Sequence, residues 1–216
     1  MAKAPVCGWR LENAARRCGA TRIAGLDEVG RGPMFGPVVA AAVILPHGCR
    51  LQGLTDSKQL TETQRNEFDA AIRATALAWA IAAVDVETID RINIRRASLL
   101  AMRMAVEQLA GAPDYLLPDY LLIDGCDTID WPCPQQAVVQ GDATSLSIAA
   151  ASVLAKVHRD RLLVELDAVY PGYGLARHKG YCSPEHLEAL RRLGPTPLHR
   201  RNWSPVAQMA LEFLEP

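Results

Sequence analysis

Arg22-Ile-Ala-Gly-Leu-Asp-Glu28 and Val38-Val-Ala-Ala-Ala-Val-Ile-Leu45 lie on either side of a glycine-rich connection in this chain of 216 residues. The first segment has the apolar run of a β-strand, which Gly30 and Gly32 bring to an end. The second is apolar throughout, which is typical of a strand buried on both faces. Because the connection between them is short, the two strands are expected to pair antiparallel.

Outward from this pair, hydrophobic periodicity and capping signals predict the remaining helices and strands. The capping box Thr61-Glu-Thr-Gln64 should begin a helix that runs to about residue 75. The further predictions are a strand at 77–86, a helix at 93–109, strands at 120–123 and 137–139, a buried helix at 145–169, a helix opened by Ser183-Pro184 and a last helix after Pro205. This order predicts an α/β domain with a mixed sheet flanked by helices.

Composition and cysteine usage favour a soluble cytosolic protein. None of the six cysteines forms a CxxC pair or has the spacing of zinc ligands, so they are expected to be reduced thiols. The first residues lack the apolar region of a signal peptide, and the longest apolar run, 38–45, is too short to span a bilayer. A cytoplasmic location without a membrane partner is the expectation.

The charges are distributed unevenly along the chain. Residues 156–203 contain nine Lys/Arg against five Asp/Glu, whereas residues 1–155 contain fourteen against seventeen. An acidic part followed by a basic part suits a metal site beside a surface that binds a polyanion. An ordinary scatter of solvated charge explains these counts equally well.

Four acidic residues stand where predicted strands end, namely Asp27, Glu28, Asp124 and Asp142. Strand ends at one edge of an α/β sheet converge in space, so three separate segments can bring these carboxylates together. Clustered carboxylates repel one another unless a cation neutralises them, and oxygen ligands favour Mg²⁺ or Mn²⁺ over zinc. Such clusters support hydrolysis of phosphodiesters by two metal ions.

Other interpretations of the same acids stay open. Each one taken alone could be a helix cap or a loop residue, and Asp142 could cap the following helix. Asp127 and Asp130 are assigned to a solvated loop. Adjacent residues of a strand point to opposite faces, so Asp27 and Glu28 can share a site only if the strand breaks there. The glycines that follow are expected to supply that break.

The segment Gly30-Arg31-Gly32-Pro33 follows the acidic pair directly. A nucleotide-binding GxGxxG turn is excluded because its third glycine position is Phe35 and because a strand, not a helix, follows. Glycines beside a metal site let the backbone approach a ligand closely. A plain turn is the alternative.

Asp-Glu-Val-Gly-Arg-Gly-Pro at 27–33, running into Gly-Pro-Val-Val-Ala-Ala-Ala-Val at 36–43, resembles the N-terminal signature of the bacterial ribonuclease HII family. Four further segments resemble that family in the same order. They are Asp-Ser-Lys at 56–58, Ile-Asp-Gly at 123–125, Ala-Ala-Ser-Val-Leu-Ala-Lys-Val-His-Arg-Asp at 150–160, and His-Lys-Gly-Tyr at 178–181. The resemblance extends over roughly residues 20 to 205.

The resemblance implies an RNase H-like sheet and a nuclease that depends on Mg²⁺ or Mn²⁺. Its substrates would be RNA–DNA hybrids and duplex DNA that contains single ribonucleotides. Cleavage would fall on the 5′ side of a ribonucleotide and leave a 3′-hydroxyl and a 5′-phosphate. It further implies three parts of the chain: an N-terminal extension (1–20), an RNase H-like catalytic domain (21–170) and a basic helical lobe packed on that domain (171–216).

The resemblance also implies a role for each matching residue. Asp27, Glu28, Asp124 and Asp142 would bind the two metal ions. The loop of Gly30, Arg31 and Gly32 would sense the 2′-hydroxyl, which distinguishes RNA from DNA. Lys58 would contact a phosphate, with a solvated lysine as the alternative, and Tyr181 would pack on the sugar at the RNA–DNA junction, with an ordinary core or surface tyrosine as the alternative.

Some features depart from the family pattern or stand outside it. Gln140 occupies a position that is often Lys, and the segment 174–177 is looser than its neighbours. His178 and His199 are interpreted as contacts to the nucleic-acid backbone rather than as ligands or general acids. Residues Gln208, Leu211 and Phe213 loosely resemble a peptide that binds the sliding clamp, although a terminal helix packed on the domain is the favoured interpretation.

Two competing functions are considered. A ribonuclease HIII would carry Lys at the position of Arg31 and an additional N-terminal domain. A duplex-binding module without catalysis would have lost acids, and all four are present. We expect the chain to act alone, as a monomer.

Overall fold

The computed structural model describes residues 7–110 and 116–212. Its centre is a five-stranded sheet with the order β3-β2-β1-β4-β5. The strands are β1 (Ile23–Val29), β2 (Val38–Ile44), β3 (Ala78–Val84), β4 (Tyr120–Asp124) and β5 (Gln135–Val138). The first pair, β1 and β2, is antiparallel as predicted, whereas β1 pairs parallel with β4 and β4 pairs parallel with β5. The prediction of an α/β fold with a mixed sheet is confirmed.

Helices cover both faces of this sheet. They are α1 (Arg10–Arg17), α2 (Glu62–Thr75), α3 (Val86–Ile92), α4 (Ile94–Ala110), α5 (Leu146–Val169), α6 (Leu175–His178), α7 (Pro184–Leu193) and α8 (Ser204–Glu212). Short 3-10 helices form at Ser57–Gln59 and Gly141–Ala143. None of the helices among the described residues combines the length and the apolar composition that crossing a bilayer requires.

Strand β2 shows why the uniformly apolar segment is a strand buried on both faces. Val38, Ala40 and Ala42 point into a core formed with α4, whereas Val39 and Ala41 point into a second core formed with α2 and α5. This alternation gives every side chain of the strand an apolar neighbour.

Helix α5 lies against β1 at unusually short range. A Cβ added to Gly25 of β1 would lie 2.1 Å from the backbone carbon of Ser147 in the first turn of α5. Only glycine leaves room for this approach. The first half of α5 is buried, as predicted, and its N-cap is Ser145, whose hydroxyl accepts from the N–H of Ile148.

The capping predictions are confirmed. Thr61 and Gln64 form the complete capping box of α2. Ser183 caps α7 by accepting from the N–H of His186, with Pro184 in the first turn. These signals act within three or four residues, so sequence alone is sufficient to find them.

Several predicted boundaries need correction. The strand expected at 77–86 ends at Val84, because Asp85 accepts from the N–H of Thr88 and starts α3, a helix that was not predicted. Strand β5 begins at Gln135 rather than at 137. Helix α8 begins at Ser204, one residue before Pro205.

The N-terminal extension contains a helix that was not predicted. Glu12 of α1 is fully buried and its carboxylate accepts from the Ser145 hydroxyl at 2.6 Å and from the N–H of Ser147 at 2.9 Å. A carboxylate at the N-terminus of α5 satisfies free N–H groups and complements the helix dipole. All six cysteines carry free thiols.

Candidate active site

The parallel pairing of β1 and β4 places two of the four acids side by side. Leu26 and Ile123 are the last paired residues of these strands, and Asp27 and Asp124 follow them directly. The 3-10 helix after β5 brings the third acid to the same edge, since Asp124 Oδ1 accepts from the N–H of Gly141 at 2.7 Å and from that of Asp142 at 3.4 Å. Three segments therefore converge at one edge of the sheet, as the sequence analysis predicted.

The glycines end strand β1 as expected, but only after both acids, so no break separates Asp27 from Glu28. Strand β1 continues to Val29, with Asp27 opposite Ala41 and Glu28 opposite Ala40. The two acids therefore point to opposite faces, Asp27 toward α5 and Glu28 toward α4. The charges of Glu28 and Asp124 nonetheless act on Asp27, and the pairing of β1 with β4 stops at Leu26, which leaves the end of β1 open on that side.

Asp124 is the carboxylate that connects the other three. Its negative charge raises the pKa values of Asp27, Glu28 and Asp142. In each case burial is the larger cause of the raised pKa. The pKa of Asp27 is raised well above its ordinary value, although a hydrogen bond from the hydroxyl of Ser152 lowers it.

These raised pKa values mean that burial and mutual repulsion disfavour the charged forms of Asp27, Glu28 and Asp142, and a bound cation would relieve both effects. The donor set of the four carboxylates consists only of oxygen atoms, which is the chemistry that Mg²⁺ and Mn²⁺ prefer, so the residues fit such ions. Within the described residues, however, no three His, Cys, Asp or Glu side chains stand in an arrangement that could itself hold a metal ion. The carboxylates are close enough for each to affect the pKa of another, but they are not arranged as the ligands of one ion.

Lys58 lies at the edge of this cluster. The short helix Ser57–Gln59, capped by Asp56, directs its ammonium to within 3.3 Å of Asp142 and 3.6 Å of Asp56. Burial opposes the charged form of Lys58, but the two carboxylates outweigh that effect and raise its pKa. The side chain remains 77% exposed, so its ammonium can still reach a ligand.

The glycine loop and Tyr181 are also neighbours. Gly30 has a φ of +94°, a conformation that favours glycine. A Cβ added to Gly32 would lie 3.5 Å from Cε1 of Tyr181, a residue that is 47% exposed. Arg31 donates to Oε1 of Glu28 at 3.2 Å. The structure thus joins the loop, Tyr181 and the acidic cluster in one continuous surface.

Asp127 lies in a loop, as predicted, and there it forms an ion pair at the surface. Its carboxylate accepts from Nε of Arg95 at 2.9 Å and from a terminal nitrogen of Arg95 at 2.5 Å, and this pair lines a cavity that also contains Glu28, Arg31 and Asp124. Asp130 is exposed, as expected. The sequence contained no signal for Arg95, because 32 residues separate it from Asp127.

The interpretation of His199 as a backbone contact is wrong. It is buried, and its Nε2 lies 3.2 Å from Nε2 of the equally buried His186. His178 stacks on His186 with ring centroids 4.3 Å apart and binds the carbonyl of Tyr173. These histidines form a structural cluster beneath Tyr181, whose carbonyl accepts from His186 Nδ1 at 2.9 Å.

The basic C-terminal part exposes fewer cations than its sequence suggests. Of the nine Lys/Arg in residues 156–203, Arg159 and Arg200 are completely buried. Their guanidinium groups bind backbone carbonyls, so they are not available to a polyanion.

Comparison with known proteins identifies the family. The family model described as Ribonuclease HII matches residues 24–206. A relative named Ribonuclease HII from Geobacter sulfurreducens is 52% identical over 93% of this chain and 90% of its own length.

Among solved structures, the complex of PCNA with RNase HII from Archaeoglobus fulgidus has 27% identity and a TM-score of 0.66, covering 85% of this chain and 96% of that chain. The structure of Bst-RNase HIII in complex with Mn²⁺ has 21% identity and a TM-score of 0.70, covering 94% of this chain and 73% of that chain, which shows a shared fold. The fold is therefore RNase H-like. The chain belongs to the ribonuclease HII family and is a ribonuclease H.

Proposed function

We propose that this ribonuclease H is a metal-dependent endonuclease that cuts on the 5′ side of a ribonucleotide within a duplex. The observation that carries the proposal is the convergence of Asp27, Asp124 and Asp142 at one sheet edge, with Glu28 reaching the same edge from the opposite face. The products would be a 3′-hydroxyl and a 5′-phosphate, and the substrates would include both hybrids and single embedded ribonucleotides.

The four carboxylates would hold two Mg²⁺ or Mn²⁺ ions. Such a pair supplies the Lewis acidity that phosphodiester hydrolysis needs. The chain's contribution is to hold the carboxylates in place: Asp124 is fixed by the N–H of Gly141, and Asp142 is approached by Lys58. The burial of Asp27 keeps water from screening its charge, which strengthens its attraction for a divalent ion.

Three further contacts would provide substrate recognition. The loop of Gly30, Arg31 and Gly32 would receive the 2′-hydroxyl of the ribonucleotide, and the exposed ring of Tyr181 would cover the adjacent sugar. Lys58 would bind a phosphate. In this proposal residues 21–170 would be the catalytic domain, and Tyr181 would belong to the C-terminal lobe that begins at residue 171.

The decisive experiment uses a labelled DNA duplex with one internal ribonucleotide, incubated with the protein and Mg²⁺ or Mn²⁺. We expect a single cut on the 5′ side of the ribonucleotide, with a 3′-hydroxyl on the upstream product. The same duplex made entirely of DNA should bind with strong salt dependence and remain intact. Cutting of the all-DNA duplex, or binding without any cleavage, would refute the proposal; the second result would point to a non-catalytic duplex-binding module.

A clamp-binding role for the C-terminal tail is a second, weaker proposal. Its support is the exposed Gln208 and the Archaeoglobus fulgidus relative, whose structure contains PCNA. Against it, Val206 packs with Met34 and Leu190, which favours a helix packed on the domain. The side chain of Leu211 and all of Phe213 lie outside the described residues.

A titration against the sliding clamp of the same organism separates these two interpretations. A clamp ligand requires measurable affinity that disappears when residues 208–216 are deleted, while activity and thermal stability stay unchanged. No affinity, or a deletion that lowers the melting temperature, supports the packed helix instead.

A further inference from the structure

We infer that Arg200 and Arg159 are positioning residues that hold the Gly30-Arg31-Gly32 loop in the conformation that distinguishes a ribonucleotide from a deoxyribonucleotide. This inference rests on the function proposed for that loop. It starts from the hydrogen bonds of Arg200, whose terminal nitrogens donate to the carbonyl of Gly30 at 2.6 Å and to the carbonyl of Arg31 at 3.1 Å.

The carbonyl of Gly32 and that of Gly36, four residues further on, are bound in a similar way. Trp203 Nε1 donates to the carbonyl of Gly32 at 3.4 Å, and Nε of Arg200 donates to that of Gly36 at 3.0 Å. Arg200 also lies over the Trp203 ring, 4.9 Å from its centroid. Three successive carbonyls, from Gly30 to Gly32, are therefore bound by side chains that lie 169 to 171 residues away in sequence.

Arg159 completes this arrangement and joins it to Tyr181. It donates to the carbonyls of Phe35 at 3.0 Å and Pro37 at 3.2 Å. Its remaining terminal nitrogen donates to the carbonyl of Lys179 at 3.0 Å, two residues before Tyr181. The same guanidinium packs against Gly30, where an added Cβ would lie 2.4 Å from its Nε. One buried side chain thus contacts the glycine loop, the residues that follow it and the segment that carries Tyr181.

Burial of these two cations is costly, which argues that they do more than fill space. Both side chains are completely buried, and among the ion pairs of the described chain none includes either arginine. Burial lowers the pKa of Arg159 to about 10, and burial together with repulsion from Arg159 lowers that of Arg200 to about 9. Apolar side chains would usually stabilise such a core as well or better. The two arginines together donate six hydrogen bonds to backbone carbonyls, which apolar side chains could not do.

The geometry of the peptide bond shows what this contact does to the exposed side of the loop. In a trans peptide the C=O and N–H groups point in opposite directions. Since the carbonyls of Gly30 and Arg31 point toward Arg200, the N–H groups of Arg31 and Gly32 point away from it, on the exposed side of the loop. Two such donors, backed by a buried positive charge, suit the hydroxyl and phosphate oxygens of a ribonucleotide.

The test measures binding preference rather than activity. In an Asp27→Asn background, fluorescence anisotropy would give the affinity for a duplex with one ribonucleotide and for the same duplex made of DNA only. Arg200→Gln should lower the ratio of the two affinities about tenfold while binding of the all-DNA duplex stays the same. Arg201→Gln, which changes the exposed neighbouring arginine, is the matched control and should keep the ratio.

Trp203→Phe is a second variant that tests the same contact if Arg200→Gln does not fold. It keeps an aromatic ring over the guanidinium and removes only the donor to the Gly32 carbonyl, so it should lower the ratio to a smaller extent. If folded Arg200→Gln keeps the parental ratio, the inference is overturned; if Arg200→Gln does not fold, an unchanged ratio in Trp203→Phe overturns it. A parent protein with no preference for the ribonucleotide would instead refute the function proposed for the loop.

Discussion

The ammonium of Lys58 lies 3.3 Å from a carboxylate oxygen of Asp142, although 84 residues separate them in the chain. A fixed cation at this place partly neutralises the acidic cluster and can also meet a substrate phosphate, because most of the side chain is exposed. It therefore affects metal ions and substrate in opposite directions: it repels the first and attracts the second.

Lys58→Met is expected to separate these two effects. Substrate affinity should fall about tenfold, and the salt dependence of binding should decrease by roughly one charge. Mn²⁺ affinity should stay equal or increase, because a competing cation is gone. Anisotropy over a salt series and a calorimetric Mn²⁺ titration measure the two quantities. Unchanged substrate affinity would show that Lys58 is only a partner of Asp142.

Asp27→Asn should abolish cleavage while stabilising the metal-free protein. The folded-state pKa of Asp27 is raised, so at neutral pH its ionised form is disfavoured in the fold and reduces stability. Asparagine removes that charge at nearly constant size. Activity should decrease by orders of magnitude, and the melting temperature in a chelator should stay the same or rise.

The matched control is Asp85→Ala. The pKa of Asp85 is lowered by its hydrogen bonds with Thr88, since it caps α3. Its removal should reduce stability by about 1 kcal/mol and leave activity intact. Near-normal cleavage by folded Asp27→Asn would remove Asp27 from the proposed site.

Tyr181→Ala should reduce cleavage of single-ribonucleotide duplexes more than cleavage of continuous hybrids. The half-exposed ring offers a flat face to one sugar, and a continuous hybrid offers many alternative registers. Tyr181→Phe should keep the selectivity because it retains the ring. The ratio of initial rates on the two substrates is the measurement, and an equal loss on both would point to general phosphate binding instead.

The buried His186–His199 pair predicts a loss of stability in acid. The N–H of Thr196 donates to Nδ1 of His199, so the His199 proton resides on Nε2 and is donated to His186, whose Nδ1–H binds the Tyr181 carbonyl. Both rings must be neutral for this chain to form. Burial lowers the pKa of His186 to about 4 and that of His199 to about 3; besides each other, they face His178 and Tyr173.

In the unfolded chain both histidines take up a proton below their ordinary pKa of 6.5, whereas in the folded protein they stay neutral. The free energy of unfolding therefore falls as the pH decreases from 6.5 toward about 4. The raised pKa values of the carboxylate cluster act in the opposite direction, so the prediction concerns the difference between variants. His199→Gln retains a donor toward His186 and should show a shallower decrease of melting temperature over this interval. Parallel pH profiles for the two proteins would contradict the prediction.

Gly25→Ala should destabilise the protein strongly. Its Cβ would meet the backbone of Ser147, so α5 must move away from β1, at a cost of about 3 kcal/mol or more, the upper end for overpacking. Gly19→Ala is the control: its φ is +96° but the space around it is open, so it carries only the conformational cost of about 1–2 kcal/mol. Denaturant unfolding compares the two, and equal losses would show that the contact with α5 can relax.

The sequence by itself determined the features that depend on neighbouring residues. The strand character of β2, the capping box of Thr61 and Gln64 and the Ser183-Pro184 helix start depend on residue types within a few positions, so the apolar run and local hydrogen bonding identify them. The convergence of Asp27, Asp124 and Asp142 at one edge also follows from the sequence, because neighbouring parallel strands end at the same edge of a sheet.

Only the tertiary structure decided what depends on distant segments. The sequence could not show that Glu28 approaches the cluster from the opposite face, since that depends on how β1 pairs with β2 and on where its pairing with β4 ends. It could not show that Arg200 is buried under the glycine loop. In sequence, an arginine in a basic segment is indistinguishable from a surface residue, and only the packing of the last helices excludes water from it. Burial and long-range carbonyl contacts arise from the closure of the fold, and no local pattern of residue types encodes them.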